Sequence, residues 1–125
     1  MFSLDLKGGL PLYEQLYGRI SELIMSGTLA EDEKLPTVRE VAKDLGINPN
    51  TVQKAYRSLE QDNLIYSVPA KGSYIAKRDD AVSIVREKAM SEFGAAAETA
   101  VRRGITKQQL HMRIDLIVVK EEEYI

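Results

Sequence analysis

Between Leu45 and Asn48 the chain has only Gly46 and Ile47 with which to end one amphipathic helix and begin another. Upstream, Val38, Val41, Ala42 and Leu45 fall at the i, i+3, i+4, i+7 spacing of a buried helical stripe. Downstream, Val52, Ala55, Tyr56 and Leu59 repeat that spacing. The ends are marked by local chemistry. Thr37-Val38-Arg39-Glu40 forms a capping box, in which the Thr hydroxyl takes the Glu40 amide and the Glu carboxylate reaches back. Gly46 is a stop, Asn48 an N-cap, and Pro49 suits a first helical position that needs no amide donor. Two short stripes joined so tightly must both reach one small core, which forces a large crossing angle. That is a helix-turn-helix.

The neighbouring segments extend it. Leu10-Pro11-Leu12 opens a first helix whose stripe is Tyr13, Leu16, Tyr17, Ile20 and Ile24, with Gly27 as its stop. Residues 28–36 form a polar connector anchored by Leu29 and Leu35. After the third helix, Asn63 suits a left-handed position, and residues 64–68 and 73–76 are β-prone runs around the hairpin tip Pro69-Ala70-Lys71-Gly72. Three helices and a hairpin make a winged helix over residues 1–78. Residues 79–125 read as a helical tail. Asp79 or Asp80 caps a helix over about 80–103 that Gly94 interrupts and Gly104 ends, with Val82, Val85, Ala89, Phe93, Ala96, Ala97 and Ala100 apolar. Thr106-Lys107-Gln108-Gln109 opens a last helix through about Val119, with Leu110, Ile114 and Ile117 on one face, before a solvated Glu121–Glu123 run. The fold class is mainly α with a small β-hairpin. Two such tail helices cannot bury their stripes on one small winged helix, so a second copy is the natural cover.

The outward side of the third helix carries Asn50, Gln53, Lys54, Arg57 and Gln61, with no carboxylate until Glu60. Side chains of these types can pair with base edges and phosphates in a major groove, and Asn50 and Thr51 occupy the first turn, the part that enters deepest. A polar solvated face is the plain alternative, and it would win for an isolated helix. The capped preceding helix, the tight turn and the basic hairpin together outweigh it. Charge agrees, once taken locally. The whole chain holds 17 Lys and Arg against 19 Asp and Glu. Residues 34–78 carry 8 basic and 4 acidic side chains, whereas residues 1–33 carry 2 and 6 and residues 79–125 carry 7 and 9. Local field governs attraction to a polyanion. The rival function, a winged helix used only to bind another protein, predicts no salt-dependent duplex binding, and this segregation favours DNA over it.

Other chemistry is poorly supplied. Without cysteine there is no disulfide framework or thiolate, no apolar run would span a bilayer, and the MFSLDLKGG start lacks a signal-peptide layout. A cytoplasmic protein is expected. His111 is the only histidine and reads as an ordinary helix residue, Asp79-Asp80 as a cap before a catalytic pair, and the alanines at 95–97 as close helix packing or plain helix propensity. Tyr56 could reach a phosphate, but its stripe position favours the core. No phosphate loop, nucleophile–base pattern or metal set is present, so neither an enzyme nor a cofactor is expected.

The run LPTVREVAKDLGINPNTVQKAYRSLEQDNLIYSVPAKGSYIA, residues 35–76, closely resembles the DNA-binding region of GntR-type bacterial transcription regulators. PLYEQLYGRISELIMSGTLAEDEKLP matches that family's first helix and connector, so the resemblance covers about residues 10–77. The short remainder is similar to the YtrA-type subgroup, which has a two-helix dimerisation tail. The resemblance implies a homodimeric repressor on a pseudo-palindromic double-stranded operator. It implies phosphate contact by Arg39, major-groove positions for Asn50, Thr51, Gln53 and Lys54, and Arg57 on or near a phosphate. At the wing it implies that Gly72, with Lys71 beside it, lets the hairpin tip approach the minor groove. Pro69 and Ala70 depart from wings richer in glycine and arginine, and Asn63 stands for a more usual glycine. The residues name no small-molecule effector.

Overall fold

The computed structural model describes residues 2–122, the side chains of 121 and 122 excepted; residue 123, the end of the acidic run, lies outside them. The element order is α1 (Leu12–Ser26), α2 (Val38–Leu45), α3 (Pro49–Gln61), β1 (Ile65–Val68), β2 (Gly72–Ile75), α4 (Arg78–Arg102) and α5 (Lys107–Glu122). This is the expected winged helix followed by two helices. The chain divides into two compact units, Met1–Arg86 and Glu87–Ile125.

In the first unit, α3 packs against α1, α2 and β1. Leu16, Ile20, Val52, Ala55, Leu59 and Leu64 are fully buried, so the predicted stripes of α1 and α3 meet as one core. The signals that define α2 and α3 act as their residue types require. Thr37 Oγ1 accepts from the Glu40 amide at 3.1 Å, and the Thr37 amide donates to Glu40 Oε2 at 3.3 Å. Gly46 adopts φ +66°, and the Ile47 amide reaches back to the Ala42 carbonyl at 3.0 Å. That left-handed stop is inexpensive only for glycine. Asn48 Oδ1 accepts from the Asn50 amide at 2.8 Å, capping α3 from two residues after Gly46.

β1 and β2 pair antiparallel, Ile65 opposite Ile75 and Val68 opposite Gly72. The connector adds an isolated β-bridge to β2 that the sequence did not announce. Lys34 bridges Tyr74, the Leu35 amide donates to the Ser73 carbonyl at 2.8 Å, and the Ile75 amide donates to the Glu33 carbonyl at 2.9 Å. The N-terminal segment is also part of the core. Phe2 is buried, and the Gln15 amide group holds the arm by donating to the carbonyls of Asp5 at 2.9 Å and Leu10 at 2.8 Å.

Two expectations for the tail are corrected. α4 begins at Arg78, because Glu31 Oε1 in the distant connector accepts the Arg78 amide at 2.9 Å; Asp79 and Asp80 lie within its first turn. Gly94 does not interrupt it. Ala81 is fully buried, and the Arg78 guanidinium donates to the α1 carbonyls of Ile24 at 3.3 Å and Met25 at 3.0 Å. The Thr106–Gln109 capping box opens α5 as expected, with Gln109 Oε1 accepting the Thr106 amide at 2.9 Å. No helix among the described residues is long and apolar enough to cross a membrane.

Candidate nucleic-acid interface

Burying Val52, Ala55, Tyr56 and Leu59 leaves α3 only one side to show, and that side is polar. Asn50, Gln53, Lys54 and Arg57 are exposed, while Thr51 is half-buried at the turn. Arg39, in the first turn of α2, and Lys71, at the hairpin tip, are exposed as well; Gly72 is half-buried. Among the described residues the side chains of Arg39, Asn50, Gln53, Arg57 and Lys71 make no hydrogen bond or ion pair. Such groups can meet an incoming ligand without first breaking a contact within the chain.

Lys54 differs from the rest. Its ammonium lies 3.9 Å from the centroid of the Tyr13 ring on α1. A cation over an aromatic face at an exposed site contributes about 0.5–1 kcal/mol, so Lys54 is steered toward α1 while remaining open to water. No spacing rule connects residues on separate helices, which is why this contact is invisible in the sequence.

Tyr56 takes the core option. It is buried, and its hydroxyl donates to the Pro36 carbonyl at 2.6 Å, joining α3 to the residue just before the α2 cap. Burial, and then the Glu40 carboxylate, push its ionisation far above the ordinary 10.0. A raised folded value means this stabilisation is complete below the unfolded value and is lost as pH rises toward the folded one. Tyr56→Phe should therefore cost about 0.5–1.5 kcal/mol at neutral pH for the lost hydrogen bond. It should also remove part of the decline in stability that the parent shows above about pH 10. Thermal melts of both proteins at pH 7 and pH 10.5 check this; parallel losses on going alkaline would refute the burial argument.

The wing is built on a turn in which the Lys71 amide donates to the Val68 carbonyl at 3.0 Å and Ala70 sits at φ +64°. Pro69 followed by a left-handed residue is a type II turn, with alanine where glycine is usual. Tyr66 and Tyr74 stack across the hairpin at 5.7 Å, and the Tyr66 hydroxyl donates to Asp32 Oδ1 at 2.6 Å. That hydrogen bond raises the Tyr66 ionisation above its ordinary value. Gly72 adopts φ +129°, and a Cβ there would lie 2.9 Å from Lys34 Cε. The positive φ alone favours glycine here, apart from any approach to a groove, while the exposed Lys34 stem could swing aside for a Cβ. Lys34 was not among the residues singled out from the sequence, since only its β-bridge to Tyr74 brings it to the wing.

Residues 12–75 match the model of the family described as bacterial regulatory proteins, gntR family. The HTH-type transcriptional repressor YtrA of Bacillus subtilis (strain 168) is 39% identical over 77 residues, which are 62% of this chain and 59% of that protein. The match thus spans under two thirds of that relative's length. A crystal structure titled a transcriptional antiterminator, from Listeria monocytogenes EGD-e, superposes with a TM-score of 0.73 at 33% identity, covering 94% of this chain and 90% of that one. The DNA-binding domain of AraR, solved in complex with operator ORE1, superposes with a TM-score of 0.52 at 33% identity, covering 61% and 93%.

Proposed function

This chain belongs to the GntR family of bacterial regulatory proteins, of the YtrA type, and we propose that it is a sequence-specific repressor of transcription. It binds a palindromic operator as a homodimer in the cytoplasm and blocks access to the DNA it covers. One observation carries the reading. A fully buried Val52, Ala55 and Leu59 ridge aims Asn50, Gln53 and Arg57 into solvent with their side chains uncommitted. The operator complex of a relative with the same fold supports it.

The roles divide by chemistry. Asn50 and Gln53 carry amides that can pair bidentately with adenine, while Thr51 adds a hydroxyl and a methyl at the deepest turn. Arg57 and Arg39 meet phosphates on either side of the groove, and Lys54 follows its Tyr13 contact toward the same backbone. Lys71 and Gly72 bring the wing tip to the neighbouring minor groove. Two such surfaces related by a two-fold axis read half-sites about 34–36 Å apart, one helical turn of DNA.

Selection of binding sites from random duplexes, followed by titrations over a salt series, tests both kinds of contact. Arg39→Ala should weaken binding to every duplex and reduce the salt slope by roughly one. Gln53→Ala should relax one base position, at about 1–3 kcal/mol if that contact is bidentate, and leave the slope unchanged. Selection that enriches no sequence from the parent protein would overturn the reading, and an unchanged Gln53→Ala preference would remove that residue from base readout.

A further inference from the structure

The connector leading to the wing reads Glu31-Asp32-Glu33-Lys34, an unpromising composition beside a polyanion. The fold gives each of the three carboxylates a partner of its own. Glu31 accepts the Arg78 amide at 2.9 Å, Asp32 the Tyr66 hydroxyl at 2.6 Å, and Glu33 the Ala30 amide at 3.1 Å. Lys34 makes no hydrogen bond or ion pair among the described residues and is exposed.

Its position follows from the isolated bridge to β2. With its backbone bridged to Tyr74, its side chain runs across Gly72, placing Nζ 3.8 Å and Cε 2.9 Å from where a Cβ at Gly72 would stand. Gly72 follows directly on Lys71, and Lys71 is the only charged residue between Ile65 and Ile75. The hairpin itself is therefore short of cations, and Lys34 brings one to it from outside.

We propose that Lys34 is a second cation of the wing: its aliphatic stem rests on Gly72 while its ammonium binds a backbone phosphate of the operator. The inference deepens the DNA-binding reading above and rests on it. Gly72 then has a defined part, since any side chain there would displace the stem that carries the charge.

Three variants separate charge from packing. Lys34→Met keeps a straight apolar stem without the ammonium, Lys34→Ala removes both, and Lys34→Arg restores a cation. Binding to the selected operator is measured over a salt series, with a thermal melt of each protein. Lys34→Met and Lys34→Ala should each lose about tenfold in affinity at 0.1 M salt, with the salt slope reduced by about one. Lys34→Arg should keep the parent slope, and Lys34→Met should keep the parent melting temperature. If Lys34→Met binds with parent affinity and slope, the side chain serves packing alone and the proposal is overturned. If the parent itself shows no salt-dependent duplex binding, this proposal falls together with the DNA-binding reading, a result no Lys34 variant could mimic.

Discussion

With aspartate at both Leu116 and Ile117, the chain should sediment as a monomer and bind its operator about 10²–10⁴-fold more weakly, the gain ordinarily conferred by linking two sites. The reason lies in the pattern of α5. Leu110, Ile114 and Ile117 follow one stripe at i, i+4, i+7, and Met112, Leu116 and Val119 follow another on the opposite side. His111 and Asp115 lie between the stripes on one flank, with Arg113 and Lys120 on the other. Met112, Leu116, Ile117 and Val119 are exposed in the single chain, Leu116 to 66%. In α4, Met90 and Phe93 are exposed as well. Exposed apolar stripes on two sides of one helix are what the proposed second copy would cover, offering the same stripes under two-fold symmetry. One aspartate on each stripe places a charge in whichever face is covered. None of these residues belongs to the winged-helix core, so that unit should stay folded and retain its weak affinity for a single half-site. Sedimentation at micromolar concentration, with titration of full and half operators, checks both parts. A variant that remained dimeric would exclude α5 as the interface.

The helix-turn-helix was legible because its information is local. A capping box closes within four residues, a glycine stop and an Asn-Pro start act on adjacent amides, and the stripes declare their own period. The parts that escaped depend on pairing across long stretches of chain. The start of α4 is set by a carboxylate 47 residues away, so the nearer Asp79 and Asp80 looked like the cap. Gly94 reads as a break by propensity, yet one glycine costs only about 1 kcal/mol against alanine, which a 25-residue helix absorbs. The bridging of Glu33-Lys34-Leu35 to β2 has no apolar alternation to reveal it. Phe2 looked like part of an unremarkable start because nothing local shows that Gln15 will hold the arm in place.

For the surface, the residue types on α3 were readable from their spacing, because burying one stripe exposes the other. What spacing could not give is how those side chains are held. Lys54 is steered by a ring on another helix, Lys34 reaches the wing through a β-bridge, and its stem lies across Gly72. Each is a contact between elements, where sequence periodicity carries no information.

Leu59→Ala should lower the stability of the winged-helix unit by about 2–5 kcal/mol, a large share of the roughly 5–15 kcal/mol typical of a domain. Leu59 is fully buried on the side of α3 opposite its polar face, within the cluster that includes Leu16, Ile20 and Val52. Truncation there removes apolar burial and opens a cavity that helices fixed by their caps are poorly able to close. Its carbonyl also accepts the Leu64 amide at 2.9 Å, so loosening this turn loosens the entry to β1. Arg57→Ala on the opposite face supplies the contrast. It should change stability by no more than about 0.5 kcal/mol while weakening DNA binding. Urea unfolding of both variants at one protein concentration, beside operator titrations under conditions where each remains folded, reads the two effects separately. Leu59→Ala with parent stability would mean that the ridge does not set the orientation of α3, and the polar face would lose the support that aims it.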